Sequence, residues 1–329
     1  MKAIITNKSN SIQDLQLIDD YPIPALESDE VLVKVMAVAL NRADLLQAYG
    51  KYPAPKTAKN QDILGLEYSG IITQLGNNVN NFQLGDRIMG LVPCGAYAQY
   101  LSTHSDTLIK IPEGMSFREA ASIPEAYITA YDALILQSKL KFNQTILISA
   151  IGSGVGLAAL QLAKLLNGTV IGSSRSIAKL NQVNSFGLDH GLLVTENDFA
   201  QEVLRITKNL GCNHIIELVG GNYLAQDIEC CAHQGNIVVI GLLAGLNCQI
   251  NLGRILSNRL NICGTTLRSR PLAEKIQIVK SFNQDIMPFI ANAKLKTFID
   301  KTYDFNDTHK ALDYLASNQS LGKIVLTLE

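Results

Sequence analysis

The chain of 329 residues contains no tryptophan, and only 6% of its residues are aromatic. Aromatic side chains are therefore too scarce to favour a surface on which nucleic-acid bases stack. Charged residues are also few, at 17%, and the two signs nearly balance, which leaves a formal net charge of −1. A chain this close to neutral gives no reason to expect nucleic acid or an anionic membrane as a partner.

Long apolar runs and paired cysteines are missing as well. The longest apolar candidate, residues 31–40, is interrupted by Lys34 and falls short of the roughly 18 residues of a membrane span. The apolar start of the chain is too brief for a signal peptide. None of the six cysteines is in a C-x-x-C spacing. We therefore predict reduced thiols in a cytoplasmic protein, without a disulfide framework or a structural zinc site.

What the chain does contain is hydrophobic residues, at 47%, and enough length for about two domains. Up to about residue 120, short β-branched runs alternate with glycine, proline and asparagine, which predicts a β-rich domain. A helical pattern follows from Ser116 to about Gln137. From residue 145, strand and helix patterns alternate, with one helix expected over Tyr223 to His233. This alternation predicts a parallel, doubly wound sheet of the α/β class. The closing strand, Lys323 to Leu328, is expected to return to the β-rich domain.

A glycine-rich turn follows the first predicted strand of the alternating region. Small residues at such a turn let backbone N–H groups at a helix N-terminus approach a pyrophosphate closely. A strict G-x-G-x-x-G is absent, because Ile151 and Ser153 hold its first two glycine positions. The strand–turn–helix context favours a dinucleotide site over an ordinary glycine-rich turn. Its candidate residues are Ala150, Gly152, Ser153, Gly154, Val155 and Gly156.

The end of the next strand bears on which dinucleotide binds. NAD sites place an acid here to accept hydrogen bonds from the ribose hydroxyls. This chain has no acid there and offers Ser173, Ser174, Arg175 and Lys179 instead. Hydroxyls and cations suit a 2′-phosphate, so NADPH is the expected cofactor. A solvated helix cap at Ser176 is the alternative, and it is compatible with the cofactor site.

A second motif lies in the β-rich region. Read as G-x-E-x-x-G-x-x-x-x-x-G-x-x-V, residues 65–79 resemble the signature of the medium-chain dehydrogenases/reductases. In the zinc alcohol dehydrogenases of that family, the catalytic zinc ligands fall on positions held here by Asn41, Leu66 and Glu125. A leucine with one asparagine and one glutamate does not make a tetrahedral zinc site, so no metal is expected.

Longer stretches resemble the zinc-free quinone oxidoreductases of the zeta-crystallin kind, and among them the tumour-suppressor-inducible subgroup. These stretches are spread over essentially the whole chain, at residues 39–45, 63–67, 123–126, 267–270 and 322–326. The resemblance implies a GroES-like catalytic domain over 1–122 and 265–329, a Rossmann NADP-binding domain over 123–264, and a homodimer or homotetramer. Several relatives carry a tyrosine near the 2′-phosphate where this chain has Val194, a difference that bears on the choice between NADPH and NADH.

The expected activity is metal-free hydride transfer from NADPH to a small or ortho-quinone. A quinone that accepts hydride gives a phenolate-like anion with a pKa of about 10, whereas a ketone gives an alkoxide that needs a Lewis acid. We predict that Asn41 and Tyr52 line the quinone pocket, with Asp44 as an accessory polar group. A helix cap at Asn41 and local packing at Tyr52 are the structural alternatives, and Glu67 is predicted to form a structural ion pair.

Further cofactor contacts are implied by the resemblance rather than by a local motif. Gly220, Gly241 and Leu242 follow later strands, at the edge where a doubly wound sheet binds its ligand. Leu267 and Arg268 are expected to cover the nicotinamide half. Two other functions stay open: an NADPH-dependent reductase of activated C=C bonds, in enones or enoyl thioesters, and a non-catalytic NADPH-binding sensor.

Overall fold

The computed structural model describes residues 1–6, 11–56, 58–196 and 198–328. Its strands, in chain order, are β1 (Ala3–Ile5), β2 (Gln16–Ile18), β3 (Glu30–Ala39), β4 (Glu67–Leu75), β5 (Arg87–Leu91), β6 (Tyr100–His104), β7 (Leu108–Lys110), β8 (Thr145–Ile148), β9 (Thr169–Ser174), β10 (His190–Leu193), β11 (Cys212–Glu217), β12 (Cys231–Val239), β13 (Asn261–Gly264), β14 (Ile299–Asp304) and β15 (Lys323–Thr327). Its α-helices are α1 (Arg42–Ala48), α2 (Phe117–Ala121), α3 (Pro124–Tyr131), α4 (Gly154–Leu165), α5 (Ile177–Asn184), α6 (Ala200–Ile206), α7 (Tyr223–Cys230), α8 (Leu252–Asn258), α9 (Leu272–Asp285), α10 (Met287–Ala291) and α11 (Thr308–Ala316).

The chain divides into two compact units. The first comprises Met1–Ile128 and Leu267–Glu329, and the second comprises Thr129–Thr266. The sequence-based boundaries lie at 122/123 and 264/265. Among the described residues, no helix combines the length and the apolar character needed to cross a bilayer.

The first unit is built on a sheet in the order β14-β15-β3-β4-β5-β7, with β6 also paired to β3. Strand β15, from the end of the chain, runs antiparallel to β3 with Leu326 opposite Val38. Strand β3 is long because seven of its ten residues are apolar and buried, which supplies a central strand with side chains for the core. Tyr68 and Tyr97, both fully buried, are among the largest side chains in that core.

The second unit is a parallel sheet in the order β10-β9-β8-β11-β12-β13. Successive strands are added on one side of β8 and then on the other, so the strand order reverses between β8 and β11. Leu147, Ile171, Ile215 and Ile237 are buried in its core, as expected for strands covered on both faces. The predicted doubly wound α/β architecture is confirmed.

The helical pattern predicted from Ser116 to about Gln137 is present as α2, α3 and a π-helical segment, Asp132–Gln137. The break between α2 and α3 precedes Pro124, which disfavours helical backbone at the residue before it. Two local predictions differ from the structure. Helix α7 ends at Cys230 and not at His233, because Cys231 already pairs in register with Cys212 of β11. Helix α1 was not predicted within the β-rich region.

Candidate active site

The first unit contains a pocket whose lining includes Glu125 and Arg268 but not Asn41, Asp44 or Tyr52. It encloses about 460 Å³ including its open mouth. Its walls are mainly apolar, and three ionisable side chains, Glu125, Arg268 and Lys275, face it. The lining residues are Leu66, Leu91, Val92, Pro93, Thr107, Glu125, Ile128, Leu267, Arg268, Lys275, Ile278 and Val279. An apolar cavity with a few convergent polar groups is the usual form of a small-molecule site.

Glu125, in the first turn of α3, is the acid of this pocket. Its backbone N–H donates to Glu67 Oε2 at 2.8 Å, which fixes the start of the helix. Burial raises the pKa of the Glu125 carboxyl to about 7; the nearby Glu67 carboxylate adds to this rise, and Lys323 and Arg268 oppose it. A carboxyl with this pKa is present in both protonation states at neutral pH, as a proton donor requires.

Arg268 fixes one wall of the pocket. Its guanidinium donates to the carbonyl oxygen of Pro93 at 2.6 Å, to that of Tyr52 at 2.9 Å, and to Gln47 Oε1. The guanidinium carbon also lies 4.8 Å from the centre of the Tyr52 ring. The planar, five-donor guanidinium suits such a junction. Tyr52 is thus held beside Arg268, and Lys275 Nζ donates to the Arg268 carbonyl at 2.9 Å.

Asn41 belongs to a buried ionic network. Glu67 Oε1 and Lys323 Nζ form an ion pair at 2.5 Å with almost no exposed surface, which confirms the ion pair predicted for Glu67. Asn41 Nδ2 donates to Glu67 Oε1 at 2.9 Å and to Ala39 O at 3.3 Å, and its Oδ1 accepts from Lys323 at 2.7 Å. Asn41 is the N-cap residue of α1, and its amide is oriented by this network.

Asp44 is fully buried, one turn into α1. Its Oδ2 accepts from the Asn41 backbone N–H at 2.7 Å and from the Tyr97 hydroxyl at 2.9 Å. Burial raises the pKa of Asp44 to about 6, although these hydrogen bonds and the charges of Lys323 and Arg268 partly offset the rise. Asp44 therefore supports the helix that carries Asn41. Its role as an accessory group in catalysis stays a prediction, as do the roles of Asn41 and Tyr52.

The side chains at the zinc positions of the zinc alcohol dehydrogenases do not fit a zinc ion. Leu66 is an apolar wall of the pocket, the Asn41 amide is engaged by Glu67 and Lys323, and Glu125 is a single carboxyl. Within the described ranges, no group of three or more metal-binding side chains is arranged around a common point. Zinc sites in proteins use three or four nitrogen, sulfur or carboxylate ligands, which this set does not provide.

The glycine-rich turn of the second unit has the form expected of a dinucleotide site. Gly154 and Val155 begin α4, where backbone N–H groups lack helical partners, and Gly152 precedes them in the turn. The Ser153 Oγ accepts from the Gly156 N–H at 3.0 Å, which leaves the hydroxyl proton for an outside acceptor. A Cβ at Gly156 would lie 2.6 Å from the Ile151 carbonyl oxygen, so only glycine fits this close approach.

The turn is tied to the end of β9. Ala150 has a φ of +45°, and the N–H of the next residue, Ile151, donates to Ser173 O at 2.9 Å. The hydroxyl of Ser174 accepts from the Ser176 N–H at 3.1 Å, and Ser176 Oγ accepts from the Lys179 N–H, so the helix cap considered from sequence is present. Arg175 is exposed beside this cap. The site fits an anionic ligand group.

The end of β11 forms the neighbouring turn. Gly220 has a φ of +74°, and a Cβ there would lie 2.8 Å from Leu242 Cα. Gly241 and Leu242 follow β12, and Leu242 is half exposed. These residues follow the carboxyl ends of β11 and β12, next to the point between β8 and β11 where the strand order reverses. Open α/β sheets bind their ligands at that point.

Glu125, Lys275 and Glu217 were not identified as functional from sequence. From sequence, Glu125 was identified only as a position that holds a zinc ligand in the zinc alcohol dehydrogenases. Lys275 belongs to an amphipathic helix without a distinguishing motif. Glu217 closes β11, and its Oε1 accepts the N–H groups of Val219 and Gly220. An acid at the end of an apolar strand, three residues before a glycine pair, is a signal that could have found it.

Two family descriptions match the chain, and together they span about two thirds of it. "Alcohol dehydrogenase GroES-like domain" matches residues 27–113, and "Zinc-binding dehydrogenase" matches residues 154–283. Among solved structures, a quinone oxidoreductase of Pseudomonas syringae is 26% identical with a TM-score of 0.87, over 99% of both chains.

Similar curated proteins differ in size and in the function that their names describe. The zebrafish synaptic vesicle membrane protein VAT-1 homolog is 29% identical over 93% of this chain, which spans 66% of that protein. A phenolphthiocerol/phthiocerol polyketide synthase of Mycobacterium tuberculosis is 27% identical over 92% of this chain, which spans 14% of that protein. With these matches to both units, the chain belongs to the medium-chain dehydrogenase/reductase family, whose members are oxidoreductases that use a nicotinamide dinucleotide.

Proposed function

We propose that this chain is an NADPH-dependent quinone reductase. The observation that carries the proposal is the composition of the pocket in the first unit. Where zinc-dependent members of the family hold their metal, this chain presents Leu66, a network-bound Asn41 and a lone Glu125. Because those side chains do not fit zinc, the acceptor must be reducible without a Lewis acid. Quinones meet this condition, since the anion that they form on reduction is a weak base.

The cofactor would supply a hydride from its reduced nicotinamide ring. Backbone N–H groups at the start of α4 and the Ser153 hydroxyl would bind its pyrophosphate. Arg175 and Lys179, with Ser173 and Ser174, favour NADPH, because an acid that would repel a 2′-phosphate is absent from this strand end.

The pocket residues would bind the acceptor and handle its charge. Apolar walls exclude water from the ring, and the cations of Arg268 and Lys275 stabilise negative charge that develops on the acceptor oxygen. Glu125, with a pKa of about 7, would return a proton to the reduced product. Tyr52, held by Arg268, would donate a hydrogen bond to the acceptor, as predicted from sequence.

Reduction of an activated C=C bond is the second candidate, and the match to a polyketide synthase favours it. Hydride addition to an enone or an enoyl thioester gives an enolate, which the same cations would stabilise. The two activities share the pocket requirements, so only substrate tests separate them.

The test follows NADPH oxidation with 1,2-naphthoquinone, with an enone and with crotonyl-CoA, and repeats each reaction with NADH. We expect the highest kcat/KM for the quinone with NADPH. A higher kcat/KM for the thioester would replace the quinone assignment by the second candidate. Tight NADPH binding without turnover of any acceptor would contradict both and favour a sensor.

The resemblance to the family also leads us to propose a homodimer or homotetramer. Light scattering after size-exclusion chromatography tests this oligomeric state.

A further inference from the structure

Two carboxyl groups are buried together in the second unit, outside the chemistry assigned above. Glu217 ends β11 and Asp227 lies in α7, and neither has exposed surface. The side chain of Asp227 is within hydrogen-bonding range of the Glu217 carboxyl. A pair of buried acids in contact is unusual, because like charges in a medium of low dielectric constant repel strongly.

The hydrogen bonds around the pair are unequal. Glu217 Oε1 accepts the backbone N–H groups of Val219 and of Gly220, the latter at 2.6 Å. Glu217 Oε2 and both oxygens of Asp227 have no partner among the described residues when both acids are treated as carboxylates. Two carboxylates have no hydrogen to share. A proton on one of them would supply the missing donor and satisfy the pair.

The surroundings indicate which acid holds that proton. Glu217 is the better anion, because two backbone N–H groups stabilise its charge and Ser149 lies beside it. Asp227 has no such donor, and burial together with the Glu217 charge raises its pKa well above the usual range.

The remaining ionisable groups that face the pair do not supply a compensating positive charge. They are the thiols of Cys212 on β11, Cys230 on α7 and Cys231 on β12, each with a pKa raised by burial, and the phenol of Tyr223, which also feels the charge of Arg175. All four are neutral at pH 7, so they leave Asp227 no charged partner but Glu217.

We propose that Asp227 is a positioning residue, which keeps a proton and donates it in a hydrogen bond to Glu217 Oε2, so that Glu217 holds the Val219–Gly220 turn. The turn packs closely on the segment after β12, as the contact between a Cβ at Gly220 and Leu242 Cα indicates. Its importance for NADPH rests on the cofactor site proposed above. The hydrogen bond itself is a property of the cofactor-free protein.

Two variants separate the shared proton from simple packing. Asp227→Asn places a permanent N–H donor at the same position, whereas Asp227→Ala removes the donor. In D227A we expect the Val219 and Gly220 amides to exchange hydrogen for deuterium about tenfold faster, the size of effect expected when a hydrogen bond to a charged group is lost. In D227N the exchange of these amides stays as in the wild type. Asp132→Asn changes a buried aspartate of the same unit, bonded to Gln137 and Thr265, and serves as the control.

The proton itself is measured by infrared spectroscopy and by the pH dependence of unfolding. At pH 7 the wild-type protein should show a C=O band of protonated carboxylic acids, to which Asp227 contributes together with Glu125, whose pKa is about 7. D132N should retain the full intensity of this band, whereas D227N should lose the contribution of Asp227. An acid whose pKa is raised by folding stabilises the protein fully at low pH and loses that contribution as the pH rises through its folded pKa. The Tm of the wild type should therefore fall more steeply with increasing pH than the Tm of D227N.

Two results would overturn the proposal. One is an acid band of equal intensity in wild type and D227N, together with pH profiles that coincide for the two proteins. The other is rapid exchange at Val219 and Gly220 in D227N, or slow exchange in D227A. If D227A does not fold, the infrared band and the D227N profile decide alone. A wild type that shows the band and protected amides but does not bind NADPH contradicts the proposed cofactor site and leaves the shared proton standing.

Discussion

At the scale of single residues, Glu125 is the group whose charge state matters most at neutral pH. Its pKa is raised to about 7, so a step that needs the protonated carboxyl should slow as the pH rises above that value. We expect Glu125→Gln to lower kcat for quinone by about 100-fold, the low end for general-acid catalysis. The remaining activity should be insensitive to pH near 7. Steady-state kinetics between pH 5.5 and about 9 measure both effects.

The control is Glu113→Gln, which changes an exposed glutamate of the same unit. It should keep the kcat and the pH profile of the wild type. An E125Q protein with unchanged kcat and an unchanged alkaline decline would show that water or another group provides the proton.

The catalytic roles of Asn41 and Tyr52 are predictions from sequence that two substitutions test. Asn41→Ala and Tyr52→Phe should each lower quinone turnover more than they lower NADPH affinity, because both changes remove hydrogen-bond donors from the first unit. Asn41 also bonds Glu67 and Lys323, so N41A should reduce stability as well, whereas Y52F keeps the ring beside Arg268. Comparing kcat with the NADPH Kd tests each variant. Normal turnover in both would contradict the assignment.

At the scale of secondary-structure elements, we propose that the β9–α5 junction determines which dinucleotide is preferred. The double variant Arg175→Ala and Lys179→Ala removes both cations from the strand end. We expect the KM for NADPH to rise at least about tenfold and the KM for NADH to stay nearly constant, because only the 2′-phosphate requires the cations. Lys208→Ala removes an exposed cation elsewhere in the unit and should change neither constant. An equal rise for both cofactors would indicate damage to the fold of the junction.

Elements were predictable from sequence where local rules act alone. The order β8, α4, β9, α5 follows from apolar strands, a glycine turn and the Ser153 and Ser176 caps, all of which are local signals. The errors arose where tertiary pairing overrides them. Cys231 is a strand residue because β11 offers it a register, and α1 begins at Arg42, after the Asn41 cap, within a region whose neighbours form sheets.

At the scale of the whole molecule, the architecture was predictable and the contents of the pocket were not. The alternation of strands and helices indicates the doubly wound sheet. The sequence motifs that resemble the family, such as residues 65–79, imply the GroES-like domain. Two ionisable neighbours of Glu125 in the pocket, Arg268 and Lys275, come from a chain segment more than 140 residues away. This proximity depends on how the C-terminal part of the chain packs in the first unit. A single sequence contains no residue pattern that predicts such packing.

The buried ion pair also joins remote parts of the chain, since Glu67 lies on β4 and Lys323 on β15. Lys323→Met would leave the Glu67 carboxylate buried without its cation, which costs about 3–5 kcal/mol. We expect a lower urea midpoint, followed by circular dichroism because the chain has no tryptophan. The double variant E67Q/K323M should regain part of the loss. Exposed Lys310→Met should leave the midpoint unchanged, and a similarly small effect of K323M would contradict this role.

The anchoring of Arg268 has a kinetic consequence. The three oxygens that accept its hydrogen bonds, Pro93 O, Tyr52 O and Gln47 Oε1, are all uncharged, so no direct ion pair among the described residues cancels its positive charge. A neutral acceptor would enter this wall of the pocket with little electrostatic help, but its reduced, anionic form would be attracted to it. Product release should therefore follow the return of the proton from Glu125, and phenols acidic enough to bind as anions should inhibit the enzyme in competition with the quinone.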